Sequence, residues 1–260
     1  MVNNSPNQAK PLIASKKLTM PRNDSRTPAD LRPLKFTRKF TNHPAGSVLI
    51  EAGQTRVLCT VTVTDSVPRW CQGSGKGWLT AEYAMLPGSV VGRKQREHNR
   101  RDGRSVEIQR LIGRALRAAV DMRSFPNVTL QVDCDVLQAD GGTRCASICG
   151  AMMALHDAAN HLNDTGKLKS WPIKSWIAAV SVGHVGGRSL LDLDYSEDST
   201  ADVDMNVIAT ENNEIIEVQG TAEGEPFSLD VHHELLALAM KGTNDIIALM
   251  KDASAEKIEA

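Results

Sequence analysis

The spacing of apolar and polar residues predicts two runs of strands, each followed by helices. In the first half, the pattern predicts strands over 48–51, 57–64 and 128–137, helices over 106–122 and 145–162, and a further segment over 79–86 that follows a glycine-rich loop. The second half repeats this order, with strands over 176–185, 189–194, 203–210 and 214–219 and helices over 231–241 and 245–250. Strands and helices segregated in this way favour an α+β fold with a mixed sheet over a doubly wound parallel sheet.

The glycine turn QADGGTR, residues 138–144, joins a predicted strand to a predicted helix. Gly141 and Gly142 allow a tight turn, and Thr143 and Arg144 open the helix. A helix N-terminus carries unpaired N–H groups and a partial positive charge, so an arginine and a hydroxyl there would complete a pocket for an anion such as phosphate. The alternative is an ordinary turn with an exposed arginine, because short glycine motifs match many proteins.

Composition limits the class of protein. The chain has 260 residues, of which 41% are hydrophobic and 23% charged, as in a globular protein. It has no apolar run of about 18 residues, so we expect no transmembrane helix. Five cysteines without zinc-ligand spacing predict reduced, buried thiols in a cytoplasmic protein. We expect a disordered N-terminal extension over 1–20, one domain over 21–252 and a C-terminal tail over 253–260.

Charge is nearly balanced over the whole chain, at −1, but it is segregated along the sequence. Residues 93–117 contain nine Lys or Arg and three acids, whereas residues 189–240 contain thirteen Asp or Glu and no Lys or Arg. A basic surface beside an acidic one suits a protein that holds phosphodiesters together with a divalent metal. Two solvated faces that complement each other between subunits are the alternative.

The acidic segment 192–206 contributes Asp198 and Asp204, just before and at the start of a predicted strand. Two neighbouring carboxylates can share a divalent cation, or one of them can act as a general acid. Spacing alone does not select this pair, and on residue types alone a solvated acidic loop is the favoured interpretation. The other acids of the segment are expected to face solvent: Asp192, Asp194, Glu197 and Asp202.

Six blocks of the sequence resemble ribonuclease PH. They are HPAGSVLIEAGQTRVLCT (43–60), GSGKGWLTAEYAMLP (73–87), RLIGRALRA (110–118), CDVLQADGGTR (134–144), EDSTADVDMNV (197–207) and EVQGTAEGEPF (217–227), and the resemblance runs in unbroken order over about residues 22–250. Two departures are RNDSR at 22–26, where the family usually has RPDGR, and Cys145, where it commonly has Thr. The resemblance implies a ribonuclease PH-like α+β fold with two β-α repeats in one domain.

The resemblance also implies an activity. Members of this family are phosphorolytic 3′→5′ exoribonucleases that trim transfer RNA precursors, with inorganic phosphate as co-substrate and nucleoside diphosphates as products. They assemble as homo-hexamers, trimers of dimers. Processing of ribosomal or other RNA stays open.

Site residues follow from the matching motifs. The implied phosphate ligands are Arg104, Thr143, Arg144 and, one turn into the helix, Ser147. Asp198 and Asp204 would form an acidic pair that holds Mg²⁺, with Asp204 the better candidate for the general acid. The expected RNA-binding residues, which would grip phosphates without reading bases, are Arg93, Lys94, Arg96, Arg100 and Arg101. Arg110, Arg114 and Arg117 form a stripe on one predicted helix, of which Arg110 and Arg114 could instead pair with the acidic half or with a neighbouring subunit.

Two other functions stay open at this point. A non-catalytic RNA-binding ring subunit of an exosome-like assembly would share the fold but lack the phosphate and acid residues. A hydrolytic metal-dependent nuclease would need no arginine-lined phosphate pocket and would release monophosphates. The presence of Arg104, Thr143, Arg144, Asp198 and Asp204 together favours phosphorolysis.

Overall fold

The structure, a computed structural model, describes residues 22–97 and 102–256. The predicted extension over 1–20, the RNA-binding candidates Arg100 and Arg101, and residues 257–260 of the predicted tail lie outside the described residues.

Each half of the chain contributes one β-sheet. The elements of the first half are β1 (Leu34–Arg38), β2 (Gly46–Ala52), β3 (Thr55–Thr64), β4 (Trp78–Met85), α1 (Gly103–Ala119), β5 (Thr129–Gln138) and α2 (Thr143–Asp164). Those of the second half are β6 (Ile177–Val185), β7 (Arg188–Leu191), α3 (Tyr195–Asp198), β8 (Val203–Thr210), β9 (Ile215–Ala222) and α4 (Leu229–Ala255). The strand–helix order predicted for each half is therefore present.

The two sheets differ in strand direction. The first has the order β1-β2-β3-β5-β4 and is antiparallel except for the parallel pair β4 and β5. A parallel pair needs a long crossover, which α1 supplies. The second sheet has the order β7-β6-β8-β9 and is antiparallel throughout. The predicted α+β class with a mixed sheet is confirmed.

Helix α2 lies at the centre of the core and packs against strands of both sheets. It is apolar on nearly all sides, as expected for a helix surrounded by protein. Small residues let the strands approach closely: a Cβ on Gly150 would lie 2.7 Å from Cys59 Sγ, and a Cβ on Gly46 would lie 1.9 Å from the Ala154 carbonyl oxygen. This packing fixes the direction in which the N-terminus of α2 points.

Helix α1 begins and ends three residues earlier than its predicted range of 106–122. Asp102 caps it by accepting a hydrogen bond from the Arg104 N–H, and the buried stripe includes the predicted Ile108, Leu111 and Ile112. Gly103 hides this start from a pattern search, because glycine is a poor helix former. The earlier start places Arg104 in the first turn of α1.

Helix α4 is one continuous helix, whereas two helices over 231–241 and 245–250 were predicted. Gly242 does not interrupt it, because a Cβ there would lie 2.6 Å from Leu191 Cδ1 of β7; the glycine serves close packing. The helix ends at Ala255, so residues 253–255 belong to it and not to a tail. The short elements β1 and α3 were not predicted. In the part of the chain that the structure describes, no helix is long and apolar enough to cross a membrane.

Candidate active site

One open pocket of about 670 Å³ brings the principal sequence candidates together. It lies between the first turns of α1 and α2, the end of α3 and one face of β8 and β9, and its walls include Arg104, Thr143, Arg144, Asp198 and Asp204. Further polar side chains complete the lining: Glu107, Ser181, Asn206, Gln219, Thr221 and Glu223.

The N-terminus of α2 opens on this pocket through the predicted glycine turn. Gly141 and Gly142 have φ angles of +74° and +64°, which a side chain would strain. A Cβ on Gly142 would also lie 2.9 Å from Arg32 Nη2. Arg32 Nη1 donates to the Asp140 carbonyl at 2.6 Å and so holds the turn from behind. The first-turn N–H groups of α2 consequently face a ligand space rather than a side-chain cap.

Thr143 is held by Tyr83 of β4. Its hydroxyl lies 2.9 Å from the Tyr83 hydroxyl, and the Tyr83 ring is buried on β4. Burial raises the pKa of Tyr83, so the phenol stays protonated at neutral pH. A Tyr on the apolar face of a strand carries no sequence signal for this second role; only the packing of β4 beside α2 reveals it.

Arg144 projects from the first turn of α2 toward two side chains on other elements. Its Nη1 donates to Gln219 Oε1 at 3.0 Å and lies 3.5 Å from Glu107 Oε1. Glu107 belongs to α1 and Gln219 to β9, so Arg144 connects both sides of the pocket. Arginine carries five N–H donors, which leaves donors for an anion.

Asp198 and Asp204 approach the pocket from different elements. Asp198 is the last residue of α3, and Asp204 lies on β8 opposite Gly183 of β6 and Thr221 of β9. Partial removal from water raises the pKa of Asp198, and the Asp204 carboxylate raises it further, against the lowering effect of Arg104 and Arg144. The two carboxylates therefore interact, as a shared site requires.

The expectation that the acidic segment is solvated is wrong at two positions. Asp192 and Glu197 are each only 7% exposed, although both were expected to face solvent. Residues 22–32 pack against the acidic segment and bring arginines to it: Arg32 Nη2 lies 2.7 Å from Asp192 Oδ1, and Arg22 Nη2 lies 2.7 Å from Glu197 Oε2. Buried carboxylates require such partners.

Helix α3 is stabilised by the same residues. Asp194 accepts a hydrogen bond from the Glu197 N–H, and Glu197 Oε2 accepts one from the Asp194 N–H, which together form a capping box. Asp194 is half-buried in this role, whereas Asp202 is exposed as expected. The buried Glu197 thereby fixes the turn that ends at Asp198.

Ser147 does not reach the pocket. Its side chain is 0% exposed, and its hydroxyl donates to the Thr143 carbonyl at 2.8 Å. A residue four positions into a helix lies above the first turn, and here that position faces the core. The prediction of a phosphate contact from Ser147 is therefore wrong.

Some of the basic residues predicted to bind RNA are exposed, and others have partners within the protein. Arg93 and Arg96 are exposed. Lys94 donates to Asp102 Oδ2 at 2.9 Å and so supports the cap of α1. Of the helical stripe, Arg114 pairs with Glu217 of the acidic half at 2.7 Å, and Arg117 covers the Trp78 ring at 5.1 Å. Pairing with the acidic half is therefore present for Arg114, whereas Arg117 contacts an aromatic ring of the first half.

Several pocket residues were missed that the strand pattern could have supplied. Asn206 follows Asp204 by two positions, so both face the same side of β8. Their partners on β9, Gln219 and Thr221, share that face by register. Asn206 Oδ1 also accepts a hydrogen bond from the buried Cys145 thiol at 3.2 Å.

Within residues 22–97 and 102–256, no group of three or more His, Cys, Asp or Glu side chains could hold a metal.

Solved structures share this fold at low identity. Rice (Oryza sativa) Rrp46 matches with a TM-score of 0.73 and 19% identity over 90% of this chain and 100% of its own. The Archaeoglobus fulgidus exosome with RNA bound to the active site matches with a TM-score of 0.75 and 20% identity over 88% of this chain and 92% of its own. An archaeal exosome core matches with a TM-score of 0.72 and 21% identity over 89% of this chain and 91% of its own.

Family models cover most of the sequence. The first domain of the 3′ exoribonuclease family matches residues 30–160, and the second domain matches residues 175–242. The two matches correspond to the two sheets with their helices, and the boundary falls between α2 and β6. The chain therefore belongs to the 3′ exoribonuclease family, the RNase PH family, and contains both of its domains.

Proposed function

We propose that this protein is a phosphorolytic 3′→5′ exoribonuclease that removes nucleotides from the 3′ ends of transfer RNA precursors. Inorganic phosphate would attack the last phosphodiester and release a nucleoside diphosphate. The observation that carries the proposal is the convergence, in one pocket, of Arg104, the α2 N-terminus with Thr143 and Arg144, and the carboxylates Asp198 and Asp204.

The basic side of the pocket suits phosphate as the nucleophile. Two anions must meet during phosphorolysis, so fixed positive charge has to offset their repulsion. Arg104 and Arg144 can each bind phosphate through two N–H groups, and Thr143 and the first-turn N–H groups of α2 add neutral donors. A hydrolytic nuclease would need none of these groups for a water nucleophile.

The acidic side suits proton transfer and a divalent cation. Asp198 and Asp204 are hard oxygen donors whose mutual repulsion a cation would relieve, and Mg²⁺ commonly binds one or two carboxylates together with water and phosphate oxygens. When bound, Mg²⁺ supplies charge stabilisation to the phosphoryl oxygens. We assign Asp204 as the general acid that delivers a proton to the leaving ribose 3′-oxygen. Asp198 is its partner in the acidic pair.

RNA binding and assembly extend the proposal. Exposed Arg93 and Arg96 could contact RNA phosphates without reading bases. The solved exosome of Archaeoglobus fulgidus holds RNA at its active site, which supports RNA as the substrate class here. A homo-hexamer, transfer RNA precursors as preferred substrates and a cytoplasmic location stay predictions.

A second candidate function is a non-catalytic RNA-binding ring subunit. The observation that favours it is the set of matched structures, which are exosome proteins. Against it stands the presence of Arg104, Thr143, Arg144, Asp198 and Asp204 in one pocket.

The proposal is tested by incubating the purified protein and Mg²⁺ with a short RNA that carries a 3′ tail, with and without inorganic phosphate. We expect shortening only with phosphate, and extension of the RNA when nucleoside diphosphates replace phosphate. Shortening that ignores phosphate would favour a hydrolase. No shortening, together with retained RNA binding, would favour the ring subunit.

A further inference from the structure

The hydroxyl group of Tyr83 contacts the hydroxyl group of Thr143 inside the protein. The two oxygens lie 2.9 Å apart, and both residues are buried, with Tyr83 4% and Thr143 6% exposed. Across the described ranges of the chain, neither hydroxyl has another hydrogen-bond partner in the protein. The pair therefore links β4 to the first turn of α2 through a single hydrogen bond.

The direction of this hydrogen bond follows from burial. A phenol that has left water must donate its proton to an acceptor, because an unpaired buried donor costs free energy. Burial raises the pKa of Tyr83, so the phenol keeps that proton at neutral pH. The acceptor within reach is the Thr143 oxygen, so Tyr83 donates and Thr143 accepts.

Thr143 consequently has its own proton to donate. Because its oxygen accepts from Tyr83, its hydroxyl hydrogen must point away from the phenol. Thr143 is the first residue of α2, so no preceding helical turn offers a carbonyl to its side chain. Since Thr143 also lines the pocket, the hydrogen is directed toward the space that a ligand would occupy.

The backbone of Thr143 is held in place as well. The Ser147 hydroxyl donates to the Thr143 carbonyl oxygen at 2.8 Å, and Gly142 before it has a φ angle of +64°. The Thr143 hydroxyl and the first-turn N–H groups of α2 thus present donors to the same pocket. Donors that are fixed before a ligand arrives bind an anion without a cost of reorganisation.

We propose that Tyr83 is a positioning residue for the attacking phosphate: its hydrogen bond fixes the Thr143 hydroxyl as a donor to an oxygen of the anion at the N-terminus of α2. Tyr83 itself touches no substrate, because its buried ring does not line the pocket. The proposal rests on the proposed function and adds the residue that sets the direction of one phosphate contact.

This role predicts an effect on phosphate and none on RNA. Without the phenol, the Thr143 hydroxyl is free to rotate, so one donor to the phosphate is no longer held in direction. The contribution of a neutral hydrogen bond corresponds to a change in affinity of about three- to tenfold. A purely structural role of Tyr83 would instead lower stability without separating the two substrates.

The first test uses Tyr83→Phe, which keeps the buried ring and removes only the hydroxyl. In phosphorolysis, the KM for inorganic phosphate should rise about three- to tenfold while the KM for RNA stays within about twofold. Tyr195→Phe is the matched control, because Tyr195 is the only other tyrosine of the chain, is 65% exposed and does not line this pocket. An unchanged KM for phosphate, or equal increases in both KM values, overturns the proposal.

A second test asks whether Tyr83 acts through Thr143. Thr143→Val replaces the hydroxyl with a methyl group, and in that background Tyr83→Phe should raise the KM for phosphate no further, because the group that it positions is absent. Tyr83→Phe should also recover part of the melting temperature that Thr143→Val loses, since valine leaves the phenol proton without an acceptor. Independent, multiplicative increases in the KM for phosphate overturn the proposal.

A binding measurement separates this proposal from the proposed function. Calorimetric titration with pyrophosphate needs no turnover. Wild type and Tyr195→Phe should bind pyrophosphate with equal affinity, and Tyr83→Phe should bind it about three- to tenfold more weakly. Equal affinities of wild type and Tyr83→Phe, or no binding by wild type, overturn the proposal whether or not phosphorolysis is observed. The proposed function fails by a different result, the shortening of RNA without phosphate.

Discussion

Arg22 and Glu197, 175 positions apart in the sequence, form a buried ion pair in which Arg22 Nη2 lies 2.7 Å from Glu197 Oε2. Arg22 Nε donates to the second carboxylate oxygen, also at 2.7 Å, so the contact is bidentate. Glu197 precedes Asp198 directly and caps α3. The N-terminal segment of the domain thus determines where a candidate site carboxylate is held.

Loss of Arg22 should therefore affect both stability and turnover. Arg22→Ala leaves the buried Glu197 carboxylate with only the longer contact to Arg26, at 3.6 Å, so we expect the free energy of unfolding to fall by about 3 kcal/mol, the low end of the range for breaking a buried ion pair. We also expect kcat for phosphorolysis to fall more than the KM for phosphate rises, because Asp198 moves while Arg144 stays. Urea unfolding and steady-state kinetics measure the two effects. Arg93→Ala, at an exposed arginine, is the control and should change stability by less than about 0.5 kcal/mol.

Arg144 should contribute to phosphate binding more than to RNA binding. In Arg144→Ala, the guanidinium at the pocket is lost, and we expect the KM for phosphate to rise about tenfold or more while the Kd for RNA changes by less than about threefold. Arg114→Ala is the matched control, because Arg114 pairs with Glu217 and does not line this pocket. Equal losses of phosphate use and RNA affinity would show that Arg144 binds the RNA chain.

Glu107 should compete with phosphate for Arg144. Its Oε1 lies 3.5 Å from Arg144 Nη1, and this partly exposed pair is weak and screened by salt. Glu107→Gln removes the competing charge, so we expect the KM for phosphate to fall about twofold at low salt and the difference to vanish at high salt. Phosphate titrations at two ionic strengths measure this effect. A higher KM in the variant would instead make Glu107 part of the phosphate site.

The raised pKa of Asp198 predicts that its ionised carboxylate lowers the stability of the fold although turnover requires it. Because the carboxyl binds its proton more readily in the folded state, its ionisation destabilises the fold as pH rises from the ordinary value of 3.8 through the raised pKa. Asp198→Asn should therefore unfold at a higher temperature than wild type at neutral pH without Mg²⁺, yet lose turnover. The stability difference should disappear below pH 3.8, where the carboxyl is protonated in both folded and unfolded states. A variant less stable than wild type at neutral pH would contradict this account.

Sequence patterning predicted those strands and helices whose buried face is visible in the local spacing of apolar residues. The β2–β3 hairpin and α2 follow from alternation and from an apolar run, and the glycine turn before Thr143 lies where the strand–helix junction predicted it. Helix α3 has four residues, too few for any periodicity, and exists because of a capping box and a distant arginine. Long-range partners of that kind leave no local pattern.

The site shows the same division. The glycine turn pointed to Thr143 and Arg144 by itself, whereas Arg104 and the two aspartates were selected only by the resemblance to ribonuclease PH. The contact of Tyr83 with Thr143 and the burial of Ser147 depend on how β4 and α2 pack, so the sequence indicated neither. Asp192 and Glu197 were assigned to solvent because their arginine partners lie about 160–175 positions earlier.

The identity of the nucleophile is the central claim, and labelled inorganic phosphate tests it most directly. The protein is incubated with Mg²⁺, a 3′-tailed RNA and radiolabelled phosphate, and the released nucleotides are separated. This account predicts nucleoside diphosphates with the label in the β-phosphate, and no label in products of Asp204→Asn. Unlabelled nucleoside monophosphates would contradict it, because water would then be the nucleophile.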